Sequence, residues 1–269
     1  MTAVQKKRPA QRSGGGLWSA VKWTIAIGAA GALSGVFLLI FVFAYIYQQL
    51  PSIDVLTDYR PKVPLRVWST EGRLIGEFGE ERRDFVRIAD VPKHVKDAIL
   101  CAEDDGFYEH HGIELMGIAR AAIVNVLTGR RGQGGSTITM QVARNFFLTT
   151  ERSYTRKLYE IAMSFKIENE LTKDQILEIY MNQIYLGQRA YGFEAAAKTY
   201  FGRPLAEISV GEAATIAGLP VAPSAYNPIV NPTRATMRRN YVLRRMYDLG
   251  RIDAVSYTHL RAHETDQYL

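Results

Sequence analysis

Cysteine is nearly absent from this chain of 269 residues: Cys101 stands alone. One thiol closes no intrachain disulfide, so the folded part must be held by an apolar core. Cys101 sits in an apolar helical run, where a small buried residue is the expectation and a nucleophile is not. His110-His111 lacks an H-E-x-x-H context and has no cysteine at ligand spacing, which excludes a zinc signature. No Lys-Thr-Gly triplet and no G-x-S-x-G elbow occurs, so serine acyl chemistry has no such motif here. No fixed-period repeat is present, which sets aside solenoids and propellers.

Acidic residues are missing from positions 1–22, which carry Lys6, Lys7, Arg8, Arg12 and Lys22. That tail accounts for five units of the net charge of +6. The basic excess therefore belongs to one short segment, and nucleic acid is not an expected partner. Charge of either sign is then absent from residues 23–47, an uninterrupted uncharged and mostly apolar run. As a helix this run extends about 37 Å, enough to span the ~30 Å hydrocarbon core with some tilt. Trp18 and Trp23 at one end and Tyr45 and Tyr47 at the other suit the two interfaces. With cations on the N-terminal flank, the tail is expected in the cytoplasm and the rest of the chain outside. Residues 44–51 offer no good A-x-A site, and the run exceeds a signal-peptide core, so an uncleaved anchor is expected.

What remains divides readily. Residues 1–22 read as a basic cytoplasmic tail, 23–47 as a transmembrane helix and 48–90 as a connector with a β-hairpin. Residues 91–254 form a mainly α domain, and 255–269 an irregular tail that reads as not native to it. The hairpin is expected where 65–69 and 73–78 flank Thr70-Glu71-Gly72, with a third strand at 84–88. Helical periodicity begins at Pro92, with Val95, Ala98, Ile99 and Ala102 on one face. Further helices are expected over 113–127, after Ser136 as N-cap, and over 156–171. Others follow the capping boxes Thr172–Gln175 and Ser209–Glu212, and a basic amphipathic helix is expected over 233–249.

Two polar clusters interrupt this apolar pattern. The first, Glu103-Asp104-Asp105-Gly106-Phe107-Tyr108-Glu109-His110-His111-Gly112, lies between two apolar runs. A carboxylate ending an apolar helix is half shielded, so Glu103 has the setting for a raised pKa and proton acceptance. A solvated acid pair at a helix end is the plainer alternative. In the second cluster, Thr137, Gln141 and Arg144 fall at i, i+4 and i+7 and share one helical face. The preceding Gly134-Gly135 lets backbone N–H groups approach an anion at the helix start. Farther on, Arg156, Lys157 and Glu160 make either a routine helix salt bridge or a diphosphate clamp. In the clamp reading, the acid holds the cations or a divalent ion.

Together these blocks resemble the peptidoglycan glycosyltransferase domain of class A penicillin-binding proteins, glycosyltransferase family 51. The resemblance rests on Glu103-Asp104-x-x-Phe107-x-x-His110-x-Gly112, Gly135-Ser136-Thr137-Ile138-Thr139-x-Gln141-x-x-Arg144-Asn145 and Arg156-Lys157-x-x-Glu160. Lys173-x-x-Ile176-Leu177-x-x-Tyr180-x-Asn182 and Gly192-x-x-x-Ala196-Ala197 extend it, with Ala217-Gly218-Leu219-Pro220 closing the series. Arg144 departs from the lysine that many members carry, exchanging a point charge for a planar fork.

The resemblance implies a lysozyme-like, mainly α glycosyltransferase domain that polymerises lipid II into β-1,4-linked glycan. The reaction would proceed with inversion and release undecaprenyl pyrophosphate. It implies Glu103 as general base and Glu160 as a second catalytic acid that supports the cations or a Mg²⁺ on the substrate pyrophosphate. Asp104, Phe107, His110, Ser136, Thr137 and Gln141 would bind sugars and diphosphate, and Arg144, Arg156 and Lys157 the pyrophosphate. Partners would be lipid II, the growing glycan strand and membrane lipid at the periplasmic face of the inner membrane. Room is left for cell-wall synthesis partners and a homodimer. The run 118–127 and the patch Phe146-Phe147-Leu148 would dip into the outer leaflet, or serve as ordinary core. The transpeptidase half would be missing, and with it β-lactam binding. A hydrolase of the same polymer and a non-enzymatic wall-binding protein are the competing classes. The cations at 144, 156 and 157 speak against the first, and the acids at 103 and 160 against the second.

Overall fold

The computed structural model describes residues 15–57, 65–79, 81–114, 116–117, 127, 135–148 and 154–262. The chain divides into two compact units, Met1–Gln49 and Leu50–Leu269. In the first, α1 (Gly15–Gln48) is one continuous helix. Its segment Val21–Gln48 is long and apolar enough to cross a membrane, with a mean hydropathy of 2.5. Ile25, Leu33 and Leu38 lie on different sides of it, and all are exposed. A helix apolar all round and uncovered by protein matches a lipid solvent.

The second unit is mainly α. After the short α2 (Asp54–Thr57), β1 (Leu65–Trp68) and β2 (Leu74–Phe78) form the expected antiparallel hairpin. Its register runs Leu65↔Phe78 to Val67↔Gly76, then shifts at a bulge before Trp68↔Leu74. The expected third strand at 84–88 is absent. Instead Val86 exchanges hydrogen bonds with the Asn182 side chain at 2.9 and 2.8 Å, and Ile88 N–H donates to Glu178 at 2.7 Å. Side chains of a helix thus take the backbone groups that a strand would have paired. The pairing occurs just before this segment. There, β3 (Arg82–Arg83) runs parallel to β4 (Ala190–Tyr191).

Two helix groups make the core. In one, α3 (Lys93–Glu103), α8 (Val210–Ala217) and α9 (Pro232–Asp248) pack on one another. In the other, α4 (Ile138–Phe147) packs on α5 (Tyr154–Glu170) and α6 (Lys173–Gln183). Between them in sequence, α7 (Phe193–Phe201) touches both α6 and α8. The two capping boxes read from sequence form as expected at Thr172 and Ser209. The N-cap of α4 does not: it is Thr137, whose Oγ1 accepts from Met140 N–H, and not Ser136. Ser136 Oγ accepts instead from Lys157. The expected irregular tail is also corrected in part. Ala254–Ala262 forms a further helix, α10, that packs on α9 through stacked Tyr247 and Tyr257 rings 5.1 Å apart. The helix expected over 113–127 falls largely outside the described residues.

Gly112 joins the first polar cluster to this core. Its φ is +81°, and a Cβ there would stand 3.1 Å from the Ser164 backbone. Its carbonyl accepts from Thr137 Oγ1 at 2.6 Å. Gly112→Ala should therefore destabilise the domain by about 2–4 kcal/mol, from left-handed strain and a backbone clash together. Thermal unfolding measures this as a lowered Tm.

Candidate active site

The end of α3, the start of α4 and one face of α9 enclose a cleft of about 430 Å³. Glu103 is the last residue of α3 and lines it. Gln141, one turn into α4, donates Nε2–H to Glu103 Oε2 at 2.8 Å. Glu103 Oε1 is buried and has no hydrogen-bond partner among the described residues. Burial pushes the Glu103 carboxyl above the usual carboxylate range. The Gln141 hydrogen bond and the charges of Arg238 and Arg144 pull it partly back, and Asp104 pushes it up. One oxygen is thus fixed by an amide, and the other is left with raised proton affinity. That combination suits a general base.

Asp104 follows directly and serves another purpose. Its buried carboxylate accepts from the Ile138 N–H at 3.0 Å and lies 3.0 Å from His110 Nε2. The first contact satisfies an orphan amide at the N-terminus of α4, where negative charge is favoured. Asp104 thereby pins the end of α3 to the start of α4, and this places Glu103 next to Gln141. Phe107 and His110 stand behind this joint and do not line the cleft. Phe107 is fully buried, edge-on to His110, with Lys173 Nζ 4.5 Å from its ring centroid. Their side chains are part of the scaffold that the first cluster builds.

Ser136, Thr137, Gln141 and Arg144 all reach the cleft, so the helical stripe read from sequence does face it. Thr137 does so as the N-cap of α4. Arg156, Lys157 and Glu160 are not among its lining residues. They connect to it through Ser136, whose Oγ accepts from Lys157 Nζ at 2.8 Å. Glu160 is buried, 2.9 Å from Lys157 Nζ and 3.2 Å from Arg156 Nε. Both its oxygens face cations already, which does not fit a ligand for a resident metal. Among the described residues, no group of three or more His, Cys, Asp or Glu is arranged to hold one. Phe146, Phe147 and Leu148 are half-buried, between the two readings offered for that patch.

Sequence reasoning missed the far wall. Arg238, Tyr241 and Arg245 of α9 line the cleft, and Arg245 pairs with Asp105 at 3.1 Å. The signal was present in the helix read as basic and amphipathic. Positions 238, 241 and 245 share a face at i, i+3 and i+7. With Arg144 they bring three guanidiniums to a cleft that also holds the candidate base.

A family model described as Transglycosylase matches residues 71–247. Penicillin-binding protein 1A of Neisseria flavescens is 53% identical over 221 residues, which is 82% of this chain and 28% of that protein. Penicillin-binding protein 1A of Pseudomonas aeruginosa is 50% identical over 240 residues, covering 89% of this chain and 28% of that protein. The chain thus spans little more than a quarter of the length of these relatives. A crystal structure of penicillin-binding protein 1A from Haemophilus influenzae aligns at 31% identity with a TM-score of 0.44. It covers 76% of this chain and 21% of that one.

Proposed function

This chain belongs to the transglycosylase family, and on that premise we propose that it is a peptidoglycan glycosyltransferase of cell-wall synthesis. Its substrate is lipid II, polymerised to β-1,4-linked glycan with inversion at C1 and release of undecaprenyl pyrophosphate. The observation that carries this reading is the shared cleft of Glu103 and Arg144, with Glu103 Oε1 buried and without a partner among the described residues. A single inverting displacement needs a base on the attacking side and charge stabilisation at the leaving group.

Glu103 takes the proton from the acceptor sugar's 4-hydroxyl as that oxygen attacks C1 of the donor. The C1–oxygen bond to the diphosphate breaks on the opposite face. Arg144 stabilises the departing diphosphate at the cleft, and Lys157, held by Glu160 and touching Ser136, adds a second cation at its edge. Arg156 neutralises Glu160 from its other side. A Mg²⁺ would be carried by the substrate diphosphate, because both Glu160 oxygens already face Arg156 and Lys157. A lipid-borne substrate suits a tethered enzyme. We place α1 across the inner membrane, with the tail cytoplasmic and the catalytic domain periplasmic.

The test is incubation of the purified chain with lipid II, with and without Mg²⁺, followed by gel analysis. A ladder of glycan products is expected. Cleavage of preformed glycan with no polymer from lipid II would favour the hydrolase reading instead.

A further inference from the structure

The wall formed by α9 carries a cation whose position is fixed from several sides. Arg238 Nε donates to the Gly218 carbonyl at 3.3 Å. Its guanidinium carbon lies 4.5 Å from the centroid of the Tyr241 ring and 6.0 Å from that of Tyr226. Its stem passes so close to Gly218 that a Cβ there would stand 2.7 Å from Arg238 Cγ. A long side chain free in solvent samples many rotamers, and these contacts remove most of them. Core packing does not account for the arrangement, because Tyr241 is 48% exposed. Arg238 and Tyr241 line the same cleft as Glu103.

We propose that Tyr241 is a positioning residue, whose ring holds the Arg238 guanidinium at the cleft wall where its charge acts on the Glu103 carboxylate. The proposal rests on the reading of Glu103 as general base. Among the described residues, three charged groups act on that carboxylate: Arg238 from α9, Arg144 from α4 and Asp104 at the end of α3, with Gln141 as hydrogen-bond donor. Of these two cations, Arg238 acts the more strongly. Its charge favours the carboxylate form, so it opposes the effect of burial and keeps the base available at lower pH. Tyr241 does this through its π-face, by a cation–π contact. Gly218 does it by leaving room for the stem.

The experiment is the pH profile of kcat/KM for polymerisation of lipid II by the whole chain, with thermal unfolding alongside. The variants are Tyr241→Phe, Tyr241→Leu, Gly218→Ala and Glu103→Gln. Tyr241→Leu should move the acid limb upward by about half to one pH unit, since an ill-placed cation no longer favours the carboxylate. That shift means a loss of about three- to tenfold at the acid end. The profile should converge with wild type at the alkaline end, with little change in Tm. Tyr241→Phe should keep the wild-type profile, because the ring and not the hydroxyl makes the contact. Gly218→Ala should reproduce the shift by displacing the same stem, and its φ of −80° is one that alanine adopts freely. An unmoved acid limb in Tyr241→Leu, or a loss equal at every pH, overturns the proposal and leaves Glu103 as base if Glu103→Gln is inactive. A Phe variant as impaired as the Leu variant also overturns it. Wild-type polymerisation by Glu103→Gln overturns this proposal and the base assignment together.

Discussion

Glu103→Gln is expected to lower glycan polymerisation by about 10²–10⁴-fold, the usual contribution of a general base, with no loss of fold. The substitution preserves shape, and its amide oxygen still accepts from Gln141. It removes only the ability to take a proton. Stability should hold or rise slightly at neutral pH. An acid whose folded pKa is raised carries a burial cost above that pKa, and the cost is relieved as pH falls through it. A neutral amide carries no such cost at any pH. The same sign governs activity in the unaltered protein. Polymerisation should fall on the acid side with a midpoint above the ordinary carboxylate range, as Glu103 takes up its proton. Polymer formed at the wild-type rate by the Gln variant would remove Glu103 from its role.

Asp104→Ala should have the opposite signature, losing fold and activity together. The substitution strips the Ile138 N–H and His110 Nε2 of their acceptor inside the protein. Leaving such groups buried and unpaired costs about 3 kcal/mol, a large share of the stability of a domain this size. It also unfastens α3 from α4, so Glu103 and Gln141 lose their register. A lowered Tm with a parallel fall in polymerisation is the expected result. A variant as stable as wild type yet inactive would instead show Asp104 acting on substrate. The contrast between neighbouring carboxylates separates an acid that reacts from an acid that holds the site together.

That contrast was not legible in the residues alone. Both acids sit in one motif and both line the cleft, and an order of residues does not say which carboxylate keeps an oxygen unengaged and which is bonded to a helix N-terminus. Phe107 and His110 look like ligand contacts when read along the chain. In space Phe107 and His110 are the backing of the Asp104 joint, and Gly112 is the residue that fits against Ser164. The expected strand at 84–88 failed for a related reason. The backbone groups there found their partners in the side chains of Asn182 and Glu178, and Ile88 already opens a 3-10 turn. The stripe of Thr137, Gln141 and Arg144 succeeded because helical spacing is a local property, and the face it defines does turn to the cleft.

The sequence by itself determined the long apolar helix, the hairpin, the capping boxes and the helical class of the domain. These follow from periodicity and from residues within a few positions of one another. It also marked Glu103, Gln141 and Arg144. Only the tertiary structure decided that α9 closes the cleft with Arg238, Tyr241 and Arg245, and that Lys157 reaches it through Ser136. It also decided that Glu160 is spent on its own two cations. The physical reason is that a polar stripe records which side of a helix avoids the core. Which charges then meet across a cavity, and what burial does to their protonation, depends on neighbours that are distant along the chain.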